Sequence, residues 1–160
     1  MHRGYFAAQL LRHWPGQLHL VDPWVDVYPG YSSLDREEDY AACLQEIKPY
    51  QGRVVIHRST SAAAAPQFSD ASLDFVYIDA VHDEEDVRQD IRLWWPKVRE
   101  GGILAGHDIV NGIWGAGVRA AVIDFVGKED LDLFIVPASP HEPPPPDNNG
   151  GWYVWKPLRR

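Results

Sequence analysis

The chain has 160 residues, one cysteine, a formal net charge of −8 and 45% hydrophobic residues. This length predicts a single domain over residues 1–160, and the apolar fraction is sufficient for a buried core. A negative net charge disfavours non-specific binding to nucleic acid or to an anionic membrane surface. A single cysteine excludes an intramolecular disulfide, and no apolar stretch approaches the length of a membrane-spanning helix. We therefore predict a soluble, cytoplasmic protein.

Short apolar runs alternate with helical patterns along the chain. Continuous apolar runs, typical of strands buried on both faces, occur at residues 18–21, 54–56, 75–78 and 103–105. Helical patterns cover residues 5–13, 39–48, 83–95 and a segment around 118–125. The last two runs, 131–136 and 152–155, have no helical pattern between them and are predicted to pair as an antiparallel hairpin. The alternation predicts a doubly wound α/β sheet.

Polar side chains follow two of the predicted strands. Asp79 and His82 come after residues 75–78, and His107 and Asp108 come after residues 103–105. Ligands bind at the carboxyl ends of neighbouring strands in a parallel α/β sheet. Carboxylates favour magnesium, and a histidine shifts the preference towards manganese, iron or zinc. Asp79, His107 and Asp108 are therefore a candidate metal site, the alternative being that Asp79 caps a helix and His107 bonds a backbone carbonyl.

His82 is a candidate general base. A neutral imidazole titrates near neutral pH and can take a proton from a substrate hydroxyl. The alternative is an ordinary solvent-exposed loop histidine.

Candidate cofactor contacts lie in the first part of the chain. Asp22 follows residues 18–21, where an acid can accept hydrogen bonds from ribose hydroxyls; the alternative is a turn aspartate before proline. Gly4 precedes the first helix and would let the backbone approach a ligand at the helix N-terminus. Ser59, Thr60 and Ser61 could touch a base, or at least one of them could cap the next helix.

The chain resembles class I S-adenosylmethionine-dependent methyltransferases. The residues that carry this resemblance are Asp22, Asp79 and the predicted strand GGILAGHD. The resemblance runs from Gly4 to Lys156 and is most specific over residues 73–108, LDFVYIDAVHDEEDVRQDIRLWWPKVREGGILAGHD. This branch includes uncharacterised bacterial and phage proteins and is related to metal-dependent O-methyltransferases that act on catechols and antibiotic sugars. The resemblance implies a Rossmann-like sheet of seven strands whose last strand is antiparallel.

The resemblance also implies roles for individual residues. Gly4 would lie near the methionine part of S-adenosylmethionine, Asp22 would hold the ribose and Ser61 would touch the adenine. His82 falls near the loop that carries the general base in the sugar-modifying members. Asp79 becomes a candidate for cofactor binding and catalysis as well as for metal binding.

The metal-binding positions of the related enzymes correspond to Asp79, His107 and Asp108. His107 stands where those enzymes usually have aspartate, which leaves open whether magnesium, manganese or no metal is used.

The resemblance places a further strand, with the start of the glycine motif, before His2. That strand would be central in the sheet, between the strands that end at Asp22 and Asp79. Without it, these two strands would be separated by a gap of roughly 10 Å, twice the usual spacing between strands. The sequence is then a fragment, or the sheet closes differently, or a partner chain fills the gap. We predict that the affinity of this chain for the adenosyl cofactor is weakened.

The sequence predicts an enzyme that transfers a methyl group from S-adenosylmethionine to an oxygen nucleophile of a small molecule or sugar, with or without a metal. The acceptor would be shaped by residues 24–33 and by a glycine-rich loop at 111–117, because loops at strand tips carry specificity. One alternative is a non-catalytic binding or assembly module that forms a homodimer through its incomplete sheet. Another is a metal-dependent hydrolytic or hydroxylase-like enzyme. Neither a nucleic-acid nor a membrane partner is expected.

Overall fold

The chain separates into two units, Met1–Ala64 and Ala65–Arg160. The computed structural model describes residues 3–25, 36–110, 112–137 and 150–158. Within these ranges no helix has both the length and the apolar character needed to cross a membrane. The organisation of residues 1–160 as one domain stays a prediction.

The first unit contains a two-stranded parallel sheet with helices. Its elements are α1 (Tyr5–His13), β1 (Leu18–Val21), α2 (Arg36–Ile47), β2 (Val54–His57) and α3 (Ser61–Ala64). β1 and β2 pair in parallel, with Leu20 opposite Ile56. Burial of apolar side chains drives their association, and the core consists of Ala7, Leu11, Leu20, Trp24, Cys43 and Ile47.

Two arginine contacts join the helices of this unit to their surroundings. Arg53 donates to the carbonyl oxygens of Trp14 at 2.6 Å and Leu11 at 3.0 Å, which satisfies acceptors left unpaired at the end of α1. Asp39 in α2 is buried, and its carboxylate accepts a 2.8 Å hydrogen bond from Nε of Arg3. The pairing allows a charged side chain to be buried.

The second unit contains a four-stranded mixed sheet. Its elements are β3 (Leu73–Ile78), α4 (Glu84–Trp94), β4 (Val98–His107), α5 (Gly112–Glu129), β5 (Phe134–Val136) and β6 (Gly151–Trp155). The strand order is β3-β4-β6-β5. β3 and β4 are parallel, whereas β6 is antiparallel to both β4 and β5. The α/β class and the antiparallel hairpin near the C-terminus are therefore confirmed.

The two faces of this sheet differ in exposure. On one face the strand side chains are buried, and α4 packs against both β3 and α5; the buried residues are Val76, Ile78, Leu104, Trp152 and Val154. On the other face, which we call the open sheet face, Phe75, Phe134 and Trp155 are 36%, 41% and 50% exposed. The ring of Phe134 stacks on Tyr153 of the neighbouring strand, with centroids 4.9 Å apart.

Glycines account for two differences from the sequence prediction. β4 is longer than the predicted run at 103–105, because it begins at Val98 and includes Gly101 and Gly102. The register with β3 shifts in this stretch, and Gly101 has a φ of +70°. The glycine-rich loop predicted at residues 111–117 is wrong for residues 112–117, because α5 begins at Gly112. Asn111 and most of the predicted acceptor segment 24–33 lie outside the described residues.

Over the described residues the strands form two sheets. β1 pairs with β2 in one sheet, and β3 is the first strand of the other. The resemblance expects a strand between the strand before Asp22 and the strand before Asp79. Over residues 3–25, 36–110, 112–137 and 150–158, no strand pairs with both β1 and β3.

Candidate functional site

A histidine and an aspartate from two different strand ends meet in the second unit. His82 lies in the turn between β3 and α4, and Asp108 directly follows β4. Because β3 and β4 are parallel neighbours, the residues after them emerge at the same edge of the sheet. Nε2 of His82 lies 2.8 Å from Oδ2 of Asp108. We call these two residues the His82–Asp108 pair.

Asp108 is the more constrained member of the pair. It is 5% exposed and has a φ of +61°, in the left-handed region that is uncommon for residues with a side chain. Its Oδ2 also lies 3.2 Å from Nδ1 of His107, the last residue of β4. A buried carboxylate with two imidazoles as neighbours is an electrostatic centre for this edge of the sheet.

Asp108 changes the basicity of His82. The hydrogen bond to Asp108 raises the pKa of His82 above the ordinary value of 6.5, and the negative charges of Asp108 and Asp79 act in the same direction. Partial burial and His107 oppose the shift. A carboxylate that holds one ring nitrogen fixes the tautomer and orientation of the imidazole, as in many acid–base sites.

Asp79, His82 and Asp108 together offer donor atoms suited to a metal. Each contributes one ligand atom, and the three atoms lie within 4.8 Å of one another. Two ligands on opposite sides of a divalent ion are about 4.2 Å apart when each bond is about 2.1 Å long, so small side-chain movements would suffice. A cavity of about 10 Å³, lined in part by all three residues, is comparable to the space of one water or ion. The residues therefore fit a cation chemically.

This donor group differs from the predicted metal site in one member. Sequence reasoning grouped Asp79, Asp108 and His107, whereas the geometry groups the two aspartates with His82. His107 contacts the carboxylate of Asp108 but is not part of that group. Which histidine binds a metal, and whether one is bound, stays a prediction.

Asp22 lies in the first unit, at the end of β1. Its Oδ1 accepts a 2.7 Å hydrogen bond from the backbone N–H of Trp24, and its own N–H donates to the carbonyl of His57 at 3.2 Å. This is the turn role that was the alternative to ribose binding. It orders Trp24, which is 2% exposed with a φ of +44°. Ribose binding by Asp22 stays a prediction.

Gly4 immediately precedes α1 with a left-handed φ of +82°. A Cβ at this position would lie 2.9 Å from Sγ and 3.1 Å from Cα of Cys43 in α2. Close packing of α1 and α2 thus already requires glycine here, independently of any ligand. The predicted contact of Gly4 with the cofactor remains untested.

The hydroxyl residues after β2 have different roles. The Thr60 carbonyl accepts from the N–H groups of Ala63 and Ala64 at 3.1 and 3.0 Å, and its Oγ1 lies 3.4 Å from the N–H of Ala63. Thr60 therefore caps α3, and Ser61, the predicted adenine contact, is the first residue of that helix. Ser59, the third of these candidate base contacts, has its Oγ buried without a hydrogen-bond partner among the described residues.

The buried Ser59 hydroxyl bears on whether an adenosyl group fits at the carboxyl ends of β1 and β2. A buried polar atom without a partner is destabilising by about 1–3 kcal/mol, so it marks a place where a polar ligand would be favourable. Ser59 and Asp22 follow β2 and β1, which are parallel neighbours. Hydroxyl and carboxylate groups at one strand edge are chemically suited to the polar edges of a nucleoside.

The chain shares its fold with solved structures that include two O-methyltransferases. The O-methyltransferase TomG from Streptomyces achromogenes, involved in tomaymycin synthesis and solved with S-adenosylmethionine, is 15% identical with a TM-score of 0.71, covering 98% of this chain and 70% of that one. An O-methyltransferase from Bacillus cereus, solved with S-adenosylhomocysteine, is 15% identical with a TM-score of 0.68, covering 96% and 70%. A Corynebacterium glutamicum protein is 18% identical with a TM-score of 0.61, covering 90% and 62%.

These likenesses show the fold, and they confirm the predicted Rossmann-like methyltransferase architecture. The chain spans 62% of the length of the Corynebacterium protein and 70% of the other two. No curated protein matches the sequence. A family model described as a methyltransferase domain matches residues 2–109, well over half of the 160 residues. The resemblance to class I enzymes is thus confirmed at the level of the family, and the chain belongs to the methyltransferase-domain family.

Proposed function

We propose that this protein transfers a methyl group from S-adenosylmethionine to an oxygen nucleophile of a small molecule or sugar. The observation that carries the proposal is the His82–Asp108 pair at the strand edge, in a chain of the methyltransferase family. Two similar folds were solved with S-adenosylmethionine or S-adenosylhomocysteine, which supports the choice of cofactor. The net charge of −8 favours a small acceptor over nucleic acid.

S-adenosylmethionine supplies an electrophilic methyl group, so the protein must orient the acceptor and remove its proton. Nε2 of His82 faces Asp108, so this nitrogen carries the hydrogen of the neutral ring and Nδ1 is the proton acceptor. The acceptor oxygen would form its bond to the methyl carbon as the carbon–sulfur bond breaks and S-adenosylhomocysteine leaves with that electron pair, and the acceptor's proton would pass to Nδ1. The resulting imidazolium is stabilised by the negative charges of Asp108 and Asp79.

A divalent cation would be held by Asp79, His82 and Asp108, the three residues whose donor atoms converge. The cation would supply charge that favours the deprotonated acceptor oxygen. A histidine that ligates metal cannot use the same nitrogen as a base, so metal binding and the general-base role of His82 are alternatives at that nitrogen.

Titration calorimetry with S-adenosylhomocysteine, with and without magnesium or manganese, tests the cofactor and the metal together. We expect binding that is weakened in Asp22→Ala and unchanged in His13→Gln, an exposed histidine in α1. Enhancement by a metal that disappears in Asp79→Ala would support the cation site. Absence of binding under all conditions would refute methyl transfer by this chain.

Turnover is tested separately once an acceptor is found by screening catechols and sugars. Asp79→Ala and His82→Gln should each lose activity, and His82→Gln should still bind S-adenosylhomocysteine. Full activity in either variant would contradict the assigned roles.

A second function, a non-catalytic assembly module, is favoured by the open sheet face. Exposed apolar residues that form a patch commonly mark protein interfaces, and Phe75, Phe134 and Trp155 are such residues. In this case the protein would form a homodimer and bind no adenosyl compound. Light scattering on the wild type and on Trp155→Ser, combined with the calorimetry, separates the two functions.

A further inference from the structure

Helix α5 lies against both of the backbone segments that carry the His82–Asp108 pair. A Cβ on Gly117 would come under 3.0 Å from the carbonyl oxygen of His82 and from the N–H nitrogen of Glu84. A Cβ on Gly115 would lie 3.0 Å from the carbonyl oxygen of Asp108. Only glycine allows the helix to approach these carbonyls so closely. The glycines that suggested a loop are therefore contact points of a helix.

The same helix also provides a side chain that binds the segment after Asp108. Nε of Arg119 donates to the carbonyl of Ile109 at 3.1 Å, and one terminal nitrogen donates to the carbonyl of Val110 at 2.7 Å. These are the first two carbonyls after Asp108. A planar guanidinium that binds two successive carbonyls restrains the orientation of the peptide between them.

The restraint matters because the Asp108 backbone is in an unfavourable conformation. A φ of +61° is uncommon for a residue other than glycine, and its surroundings help to hold it there. Without the two hydrogen bonds from Arg119, the segment could relax to an ordinary negative φ. The carboxylate of Asp108 would then turn away from Nε2 of His82.

We propose that Arg119 is a positioning residue for the His82–Asp108 pair, acting through the backbone of residues 109 and 110. This role deepens the proposed function and rests on it only where turnover is concerned. Arg119 touches neither imidazole nor carboxylate in the contacts described above; its effect is on where Asp108 points. A lysine at this position would bind carbonyls through a single nitrogen and would lack the fixed planar geometry of the guanidinium, in which two nitrogens each hold one carbonyl.

The direct readout is the imidazole N–H proton of His82 in nuclear magnetic resonance spectra, measured at one pH without cofactor or acceptor. A ring N–H bonded to a carboxylate is protected from solvent exchange and shifted downfield, and its assignment follows from its absence in His82→Gln. We expect this resonance to be lost or broadened in Arg119→Gln and partly retained in Arg119→Lys. Arg92→Gln is the matched control. Arg92 is an exposed arginine in α4, and its Nε also donates to a backbone carbonyl, that of Arg88, at 3.3 Å.

Enzyme kinetics provide the second readout. Misplacement of a catalytic group by about 1 Å can lower the rate about 100-fold. We therefore expect Arg119→Gln to lower kcat at least 10-fold, with S-adenosylhomocysteine affinity within twofold of wild type. Arg119→Lys should recover part of the loss.

An unchanged His82 resonance in folded Arg119→Gln would overturn the proposal, whatever its activity. If Arg119→Gln does not fold, the resonance of Arg119→Lys decides in the same way. Absence of the resonance from the wild type, judged against His82→Gln, would also overturn it, because the pair would not form in solution. Lack of methyl transfer by a wild type that shows the resonance would instead refute the proposed function and leave the positioning role standing.

Discussion

Nε2 of His82 lies 2.8 Å from Oδ2 of Asp108, although the two residues follow different strands. The contact gives a single histidine both a defined tautomer and a raised pKa. His107 contacts the same oxygen less closely, because its Nδ1 lies 3.2 Å from Oδ2 of Asp108. His107 is the last residue of β4, whereas His82 lies in a turn.

The pH profile of methyl transfer should report His82. Only the neutral imidazole can accept a proton, so kcat should rise as pH increases through the raised pKa of His82. In Asp108→Asn the main cause of the shift is removed, and the rising limb should move to lower pH, towards the ordinary value of 6.5. His82→Gln should lower kcat by roughly 10²–10⁴-fold. A profile that does not move in Asp108→Asn would rule out His82 as the base.

Gly117 and Gly127 should respond in opposite directions to alanine. Both lie in α5, but a Cβ on Gly117 would collide with the backbone of His82 and Glu84, whereas a Cβ on Gly127 meets nothing within 4 Å. We expect Gly117→Ala to lower the free energy of unfolding by about 1–3 kcal/mol. Gly127→Ala should raise it by about 0.5–1 kcal/mol through helix propensity. Chemical denaturation of both variants measures the difference, and equal effects would show that α5 does not approach the His82 turn as described.

His19 should make the stability of the protein depend on pH. Its Nδ1 lies 2.9 Å from Nε2 of His57 on the neighbouring strand, and burial, together with His57, lowers the pKa of His19 below 6.5. The folded protein therefore binds the proton less readily than the unfolded chain. Stability from this group is complete above pH 6.5 and is lost as pH falls through the lowered folded pKa. Denaturation midpoints between pH 8 and pH 5 should fall less in His19→Gln than in wild type; parallel curves would contradict this.

The buried carboxylate of Asp39 should be needed for stability. It is 2% exposed and accepts from Arg3 at 2.8 Å, with Arg36 at 3.6 Å. Asp39→Asn removes a charged acceptor and should lower the free energy of unfolding by about 1–3 kcal/mol. Glu38→Gln, an exposed neighbour in α2, is the control and should change it by less than about 0.5 kcal/mol. Equal losses in the two variants would mean that the burial of Asp39 is unimportant.

Much of the fold could be predicted because the determining patterns are local. The apolar runs that became β1 and β3, and the acidic first turn of α4, lie where the sequence indicated. The approach of His82 to Asp108 follows from parallel pairing of β3 and β4, although the sequence grouped Asp108 with His107 instead. The function of Gly115 and Gly117 could not be predicted, because a glycine that breaks a helix and a glycine that allows close packing look the same in one sequence.

Arg119 was missed because its role depends on two backbone carbonyls that precede α5. Ser59 was a candidate base contact or cap, but the sequence could not show that its hydroxyl is buried without a hydrogen-bond partner in the described part of the chain. Both properties depend on how the backbone folds around a side chain, which one sequence does not show.

The position of β6 between β4 and β5 has a consequence for folding. β5 precedes β6 in the chain, yet its only strand partner in the described sheet is β6. Phe134–Val136 therefore waits for β6: it can join the sheet only after Gly151–Trp155 has paired with β4, whatever order the chain emerges in during protein synthesis. A partly folded chain in which β6 is still unpaired leaves the apolar side chains of β5 exposed, and such unpaired apolar strands make folding intermediates prone to aggregate.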